Sequence, residues 1–189
     1  MVNTPDTSPD ESVSQATLAG GCSWCVETIF NQLQGVIDAE SGYSNGHDPA
    51  PTYDAICSGD SGHAEVVRIR FDPKVITFAQ LLEVFFASHD PTTLNRQGND
   101  AGTQYRSGIY THSDAQADTA RQFIAELERS QAFGAPIVTE VLPVQNYHPA
   151  EAYHQRYAEH NPHQGYCAYV VAPKVAKFRQ RFQNQLKPG

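Results

Sequence analysis

The sequence predicts a single α+β domain in which helices pack on a mixed β-sheet. Segments with strand and helix patterns mix along the 189 residues without strict alternation, and at least one adjacent pair of strands has no helix between its members. The hydrophobic fraction of 40% suits one substantial core. These observations favour helices packed on a mixed sheet over a doubly wound parallel fold.

The N-terminal elements follow from composition and periodicity. Residues 1–15 are polar and acidic, which predicts a disordered tail before a domain that spans residues 16–189. Residues 16–19 are expected to form a strand. The helix after it has apolar side chains at helical spacing: Val26, Ile29, Phe30 and Leu33. Residues 36–43 form the next predicted strand and lead into a loop over residues 44–52.

Residues 63–71 predict a well-patterned strand, since alternate side chains fall on its two faces. One face carries Glu65, Val67, Ile69 and Phe71. Glu65 is therefore expected on the apolar side, which is an unusual place for a carboxylate. A position at the end of the strand would instead let it face solvent.

Capping signals predict where the later helices begin. Thr77 with Gln80 predicts a capping box for a helix that should end before Pro91. Ser113 with Gln116 predicts the start of another helix. The expected order is completed by strands near residues 104–110, 136–142 and 166–171, a helix over about 149–158, and a last helix that begins at Pro173.

Charge and composition restrict the function. The formal net charge is −8, from 13 basic and 21 acidic residues, which argues against nucleic acid or an anionic membrane as a main partner. No apolar run is long enough to span a bilayer, and the N-terminus lacks the pattern of a secretion signal. We therefore expect a cytoplasmic monomer whose four cysteines are catalytic or redox-active rather than a disulfide framework.

Cys22 is the candidate nucleophile. It follows Gly20 and Gly21, which allow a sharp turn between the first strand and the first helix. Unpaired backbone N–H groups and the helix dipole at that position are expected to lower the pKa of the thiol from about 8.5 and to favour a thiolate. A buried cysteine without chemistry is the plainer interpretation of a lone thiol, but the Gly-Gly turn and Trp24 fit it poorly.

Segments that carry chemistry follow one another in a specific order: Gly21-Cys22-Ser23-Trp24, Pro51-Thr52-Tyr53, Cys57 to Glu65, His89-Asp90-Pro91, Arg96 to Asp100, Gly102 to Ser107, Tyr153-His154-Gln155, Asn161-Pro162, Tyr166-Cys167 and Pro173-Lys174-Val175. This set resembles peptide methionine sulfoxide reductase of the A type over roughly residues 16–183. The resemblance implies a fold related to the ferredoxin-like α/β plait. It also implies reduction of the S epimer of free or protein-bound methionine sulfoxide, a repair of oxidative damage, with thioredoxin as the usual reductant (dithiothreitol in vitro), no bound cofactor and no metal.

Glu65 fits the acid that sulfoxide reduction requires, because desolvation on an apolar face should raise its pKa and keep it able to donate a proton. The resemblance assigns Tyr53 and Tyr105 as donors to the sulfoxide oxygen. It also implies that Asp100 orients the substrate backbone or amine, although an Asn-Asp-x-Gly turn explains that residue equally well. His154 matches a family position near the site, whereas the histidine by itself predicts a structural role.

Trp24 is expected to form the apolar wall that holds the S-methyl group of the substrate. Ser23 departs from the family pattern, which usually has phenylalanine at that position. The change removes an aromatic surface on the order of 150 Å² or more. We expect a wider, more polar pocket that tolerates bulkier sulfoxides.

Two cysteines are candidates to resolve the sulfenic acid that turnover would leave on Cys22. Cys167 matches the late resolving position of the family and is the favoured candidate. Cys25, three residues after Cys22 in a C-x-x-C spacing, can relay or substitute for it. Cys57 is assigned a structural role.

Two other classes of protein compete with this interpretation. A C-x-x-C pair at a helix start resembles a thioredoxin-like thiol–disulfide oxidoreductase that would use Cys22 and Cys25, although Glu65 would then have no task. A zinc-binding module is disfavoured, because no second cysteine pair stands at a suitable distance.

Overall fold

The computed structural model describes residues 13–188. The described residues contain these strands: β1 (Ser14–Ala19), β2 (Val36–Ser44), β3 (Ala64–Phe71), β4 (Arg96–Gln97), β5 (Asp100–Ala101), β6 (Gly108–Thr111), β7 (Glu140–Pro143) and β8 (His148–Pro149). They contain these α-helices: α1 (Ser23–Phe30), α2 (Tyr53–Ser58), α3 (Phe78–Ser88), α4 (Asp114–Arg129), α5 (Tyr157–His160) and α6 (Ala172–Arg181). A π-helical segment (Cys167–Val171) leads directly into α6.

Six strands form one sheet in the order β7-β6-β1-β3-β2-β8. The neighbours pair antiparallel except β6 and β7, which are parallel and are joined through α4. The sheet is therefore mixed, and the predicted α+β class is confirmed. The finer expectation of a ferredoxin-like plait stays a prediction.

The main core lies where α1, α3, α4 and α6 pack against one face of the sheet. The period of two along β3 is observed: Val67 and Ile69 belong to this core, whereas Val66 packs in a smaller cluster with Tyr110. Glu65 shares the face of Val67 and Ile69, because it lies two and four residues before them on the strand. The predicted burial of this carboxylate is confirmed, since 7% of its surface is exposed.

The predicted helix starts agree with the structure. Thr77 Oγ1 accepts the Gln80 N–H at 3.1 Å, and Gln80 Oε1 accepts the Thr77 N–H at 2.9 Å, so the capping box is complete. Ser113 caps α4 by accepting the Gln116 N–H. Helix α3 ends at Ser88, before the proline that cannot continue it.

The start of the chain differs from the prediction by two residues. Strand β1 begins at Ser14 and pairs there with Phe71, so Ser14 and Gln15 belong to the sheet rather than to a tail. The remainder of the predicted tail falls on residues 1–12, which lie outside the described residues. Among residues 13–188, no helix has both the length and the apolar character needed to cross a bilayer.

Several predictions for the C-terminal half were wrong in detail. The apolar run at 166–171, predicted as a strand, is helical because Cys167 and Val171 pack with Cys25 of α1. The helix predicted over 149–158 is broken by Arg156 at φ 54°, a left-handed conformation. The strands predicted near 104–110 and 136–142 start late: Thr103–Tyr105 is a 3₁₀ turn before β6, and β7 begins only at Glu140.

Candidate active site

The turn before α1 requires glycine. Gly21 has a φ of 92°, and a Cβ at that position would lie 2.6 Å from Cγ of Gln97. The chain therefore passes from β1 to α1 in three residues and puts Cys22 immediately before the helix, as its N-cap. This agrees with the predicted strand-to-helix turn.

A cavity of about 240 Å³ opens beside this turn. Its lining includes Cys22, Ser23, Trp24, Tyr43, Tyr53, Glu65, Asp100, Tyr105, Ala150, His154, Gln164 and Tyr166. Every site residue predicted from the sequence is therefore in this cavity except Cys25 and Cys167. The substrate pocket, as we call this cavity below, assembles residues that are up to 144 positions apart, from Cys22 to Tyr166 (166 − 22 = 144).

Glu65 lies at the start of β3 with 7% of its surface exposed, so it does not face bulk solvent. Burial raises its pKa to about 7, and the negative charge of Asp100 adds to the shift. Ser23 opposes it, because its N–H donates to Glu65 Oε1 at 3.1 Å and its hydroxyl also hydrogen-bonds the carboxyl. At neutral pH the carboxyl is poised between its two protonation states.

The predicted low pKa of Cys22 is wrong. A hydrogen bond with the Cys25 side chain, burial and the charge of Glu65 raise the pKa of the Cys22 thiol well above its ordinary value. The amide of Trp24 favours the thiolate but does not outweigh them. One N–H group at the start of α1 is also unavailable to the thiolate, since the Ser23 N–H donates to Glu65 rather than to the Cys22 sulfur. The resting site therefore holds Cys22 as a thiol.

Trp24 forms a wall of the pocket and is braced on both sides. Its ring stacks on Tyr157 with centroids 4.0 Å apart and an interplanar angle of 11°, and it meets Tyr166 edge-on. Its Nε1–H donates to Nδ1 of His154 at 3.3 Å. Burial lowers the pKa of His154, which favours the neutral ring that can accept this bond. His154 thus orients the wall, which agrees with a structural role.

Tyr53 and Tyr105 both line the pocket, and burial raises the pKa of both phenols. Each therefore keeps its proton and can donate a hydrogen bond at neutral pH. Asp100 is the first residue of β5, and its carboxylate accepts the Tyr166 hydroxyl at 2.6 Å. Asp100 is accordingly part of the pocket wall as well as of the turn that its sequence context predicts.

Four lining residues were missed from the sequence: Tyr43, Ala150, Gln164 and Tyr166. Tyr43 is the second-last residue of β2. Its hydroxyl donates to one carboxylate oxygen of Glu151 at 2.7 Å, and the other oxygen accepts the Tyr53 N–H. Tyr166 belongs to the Tyr166-Cys167 segment that resembles the family, so the sequence did contain a signal for its place in the pocket. Nothing in the local sequence marked Ala150 or Gln164.

The remaining thiols lie behind and beside the pocket. Cys25 and Cys167 are buried in one cluster with Ala158 and Val171, and Cys22 packs at its edge. Cys167 also lines a second cavity of about 670 Å³, on the side of α1 that carries Glu27. Cys57 is exposed, and its thiol hydrogen-bonds the Tyr53 hydroxyl, so it is not a buried packing residue.

Possible metal ligands are dispersed in the part of the chain that the structure describes. Across residues 13–188, no group of three or more His, Cys, Asp or Glu side chains is arranged to hold an ion. The side chains that line the pocket include one thiol, two carboxyl groups, an imidazole and four phenols.

Comparison with known proteins identifies the family of this chain. The family described as "Peptide methionine sulfoxide reductase" matches residues 14–186. A "Peptide methionine sulfoxide reductase MsrA" of Polynucleobacter asymbioticus is 54% identical over 177 residues, which cover 94% of this chain and 93% of the relative.

Solved structures agree. Methionine sulfoxide reductase A of Corynebacterium diphtheriae superposes with a TM-score of 0.78 at 36% identity, covering 85% of this chain and 80% of that one. Mxr1 of Saccharomyces cerevisiae, in a complex with Trx2, has a TM-score of 0.55 at 30% identity, covering 78% of this chain and 87% of that one. With a family match over nearly the whole described length, this chain belongs to the peptide methionine sulfoxide reductase family.

Proposed function

We propose that this chain reduces the S epimer of methionine sulfoxide, free or within a protein, to methionine. The observation that carries the proposal is the meeting of Cys22 and the buried Glu65 in one pocket. With a pKa of about 7, the carboxyl stays substantially protonated at neutral pH and can donate to a sulfoxide oxygen. The choice of epimer rests on the family resemblance.

The first step transfers oxygen from the substrate to Cys22. The Cys22 sulfur bonds to the sulfoxide sulfur while Glu65 gives its proton to the oxygen, and the resulting carboxylate accepts the thiol proton. The oxygen then passes to the Cys22 sulfur as the S–O bond of the substrate and the bond between the two sulfurs break, which releases the thioether. The thiolate therefore forms only as the bond forms, which suits the raised pKa of Cys22. Thiol and sulfoxide become sulfenic acid and thioether, a two-electron exchange. Tyr53 and Tyr105 stabilise the charge that develops on the oxygen.

We assign the second step to Cys25, because its thiol is hydrogen-bonded with that of Cys22. Condensation of the Cys22 sulfenic acid with the Cys25 thiol releases water and forms a disulfide. Cys167, which packs in the cluster of Cys25, then attacks the Cys25 sulfur and frees the Cys22 thiol. Cys25 thus acts before Cys167, whereas the sequence favoured Cys167 as the direct resolving thiol.

Mass spectrometry after exposure to sulfoxide without reductant tests this order. We expect a Cys25–Cys167 disulfide in the unaltered protein and a Cys22–Cys25 disulfide in Cys167→Ser. A Cys22–Cys167 disulfide that forms equally fast with and without Cys25→Ser contradicts the relay.

A thioredoxin is proposed as the reductant, since a relative in this family forms a complex with Trx2. Its dithiol would reduce the Cys25–Cys167 disulfide to two thiols and become a disulfide itself. Cys167 lines the second cavity and not the substrate pocket, which supports approach of the reductant from that side of α1.

The substrate range is proposed to extend to bulkier sulfoxides because Ser23 is small. The pocket volume of about 240 Å³ exceeds the roughly 150 Å³ that admits benzene in an engineered core. Ala150, another small residue, lies in the same lining. Alkyl groups larger than methyl therefore have room beside Trp24.

The Cys22–Cys25 contact at a helix start also favours a second candidate, a thiol–disulfide oxidoreductase. Such an enzyme needs no acid beside its nucleophile, so the burial of Glu65 weighs against it. Insulin reduction with and without Glu65→Gln separates the two, since only sulfoxide reduction depends on the carboxyl.

The decisive experiment is a dithiothreitol-dependent assay on separated sulfoxide epimers, with Cys22→Ser as control. We expect turnover of the S epimer alone and none by Cys22→Ser. Equal turnover of both epimers contradicts the stereospecificity, and turnover by Cys22→Ser contradicts the whole proposal.

A further inference from the structure

Glu27 is a second buried carboxyl that the chemistry above does not use. It lies one turn after Trp24 on α1, with 1% of its surface exposed. Its two oxygens accept the same main-chain N–H, that of Arg156, at 2.9 and 3.0 Å. The main-chain N–H of Ser41 also stabilises this carboxylate. A carboxylate buried to bind main-chain N–H groups of distant segments is costly unless that backbone must be held in place.

The bound amide belongs to the segment that braces Trp24. Arg156 has a left-handed backbone at φ 54°, which a residue with a side chain seldom adopts. His154 on one side of it accepts the Trp24 N–H, and Tyr157 on the other stacks on the Trp24 ring. The backbone turn at Arg156 therefore determines the positions of His154 and Tyr157 relative to Trp24.

Gln155 adds a second anchor for the same segment. Its side chain accepts the Ser41 N–H at 2.9 Å and donates to the Ser41 carbonyl at 2.8 Å, so it binds the edge of β2 as a strand residue would. The position of residue 155 is thus fixed by the sheet. The direction in which the chain leaves it, toward Tyr157, depends on the amide that Glu27 holds.

We propose that Glu27 is a positioning residue for substrate binding: through the Arg156 amide it fixes Tyr157 and His154, and these orient Trp24. The inference rests on the proposed function, because Trp24 is taken as the wall for the substrate alkyl group. The ionised carboxylate is the form that accepts the amide with both oxygens. Protonation of Glu27 weakens its hydrogen bonds with the Arg156 N–H, and the Trp24 ring becomes more mobile as a result.

The surroundings of Glu27 suit a response near neutral pH. Burial raises its pKa to about 7. The N–H and guanidinium of Arg156 and the N–H of Ser41 oppose the shift, and Glu159 adds to it. Arg179 and Lys187 also line the second cavity, beside Glu27. The Arg156 guanidinium is paired with Glu159 at 2.9 Å rather than with Glu27, so the two carboxylates hold different groups of one residue.

Glu27→Gln, with Glu159→Gln as the matched control, tests the proposal. Both changes remove one negative charge from the same cavity, but only the first disturbs the Arg156 amide. We expect Glu27→Gln to raise the KM for methionine sulfoxide about tenfold with kcat changed less than threefold, and Glu159→Gln to leave both unchanged. A fall in kcat at constant KM, or equal effects of the two variants, overturns the role.

Trp24 supplies a readout that needs no activity, because it is the single tryptophan of the chain. In Glu65→Gln, which removes the other nearby carboxyl that titrates near 7, we expect tryptophan emission to change with a midpoint near pH 7. Emission that is independent of pH between 5 and 9 overturns the proposal even if Glu27→Gln fails to fold. Because fluorescence does not require sulfoxide turnover, its outcome is separate from that of the proposed function.

Discussion

Two buried carboxyls, Glu65 of β3 and Glu27 of α1, both have pKa values of about 7 for the same cause, burial. Glu65 faces the substrate pocket with Cys22, whereas Glu27 lines the second cavity with Cys167. In the proposed reaction Glu65 acts when protonated, since it must donate to the substrate. Glu27 acts when ionised, since both its oxygens accept an amide. A shifted pKa thus marks an unusual site, and the contacts of the oxygens decide which form is used.

The two roles have opposite pH dependence. Oxygen transfer should fall as pH rises through about 7, because Glu65 loses its proton. Substrate affinity should improve over the same range, because Glu27 becomes ionised. The profile of kcat/KM is therefore expected to peak near neutral pH, with each limb assigned to one carboxyl.

The largest expected effect is that of Glu65→Gln on oxygen transfer. Loss of a general acid lowers kcat by about 10²–10⁴-fold, while Glu27→Gln should change kcat less than threefold. Steady-state kinetics with dithiothreitol as reductant make the comparison. A kcat for Glu65→Gln within tenfold of the unaltered protein contradicts the acid role.

Stability against pH is the next largest effect. Both folded pKa values lie above the ordinary 4.5, so each carboxyl contributes stability that is present below pH 4.5 and is lost as pH rises through about 7. The loss is about 3 kcal/mol for each group at most. Urea unfolding at pH 5 and pH 8 should show a smaller difference in either Gln variant. An unchanged difference in both variants contradicts the burial of these charges.

Blocking the second cavity should affect only the reductant. Ala176 on α6 is exposed and lines that cavity, whereas the neighbouring Lys177 lines a different surface depression. We expect Ala176→Trp to raise the KM for thioredoxin about tenfold and to leave dithiothreitol-supported turnover unchanged. Lys177→Trp is the control. Equal effects of the two variants, or a rise in the KM for sulfoxide, would place the docking site elsewhere.

Ser23→Phe should have the smallest effect on activity. It alters the substrate pocket rather than the second cavity. The added ring should shift preference toward methyl over larger alkyl sulfoxides by about tenfold, the usual range for one or two methylenes in an apolar pocket. The KM for thioredoxin should stay the same. The kcat/KM ratio for methyl and butyl sulfoxides measures the effect, and an unchanged ratio rejects the wide-pocket explanation.

The parts of the fold that the sequence predicted are those governed by local rules. The turn at Gly21, the alternation of β3 and the capping box at Thr77 each depend on residues within a few positions of one another. The pocket residues were found because the family motifs mark them. Apolar alternation also predicted the burial of Glu65 without any motif.

The features that could not be predicted depend on contacts between distant residues. Gln155 binds Ser41 across 114 positions and Glu27 binds Arg156 across 129, so no local pattern could show that the helix expected near residue 155 is broken. The predicted pKa of Cys22 was wrong because only the backbone N–H groups and the dipole of its own helix were considered. The hydrogen bond with Cys25, burial and the charge of Glu65 in the folded protein raise it.

Single-turnover reduction of saturating methionine sulfoxide, without reductant, tests the central claim most directly. If a Cys22 thiol reacts with help from protonated Glu65, the rate constant should be constant below pH 6, fall as pH rises through about 7, and lose that dependence in Glu65→Gln. A rate constant that instead climbs steadily from pH 7 to pH 9 in both proteins would mean that a free thiolate alone drives the reaction, and would contradict the account.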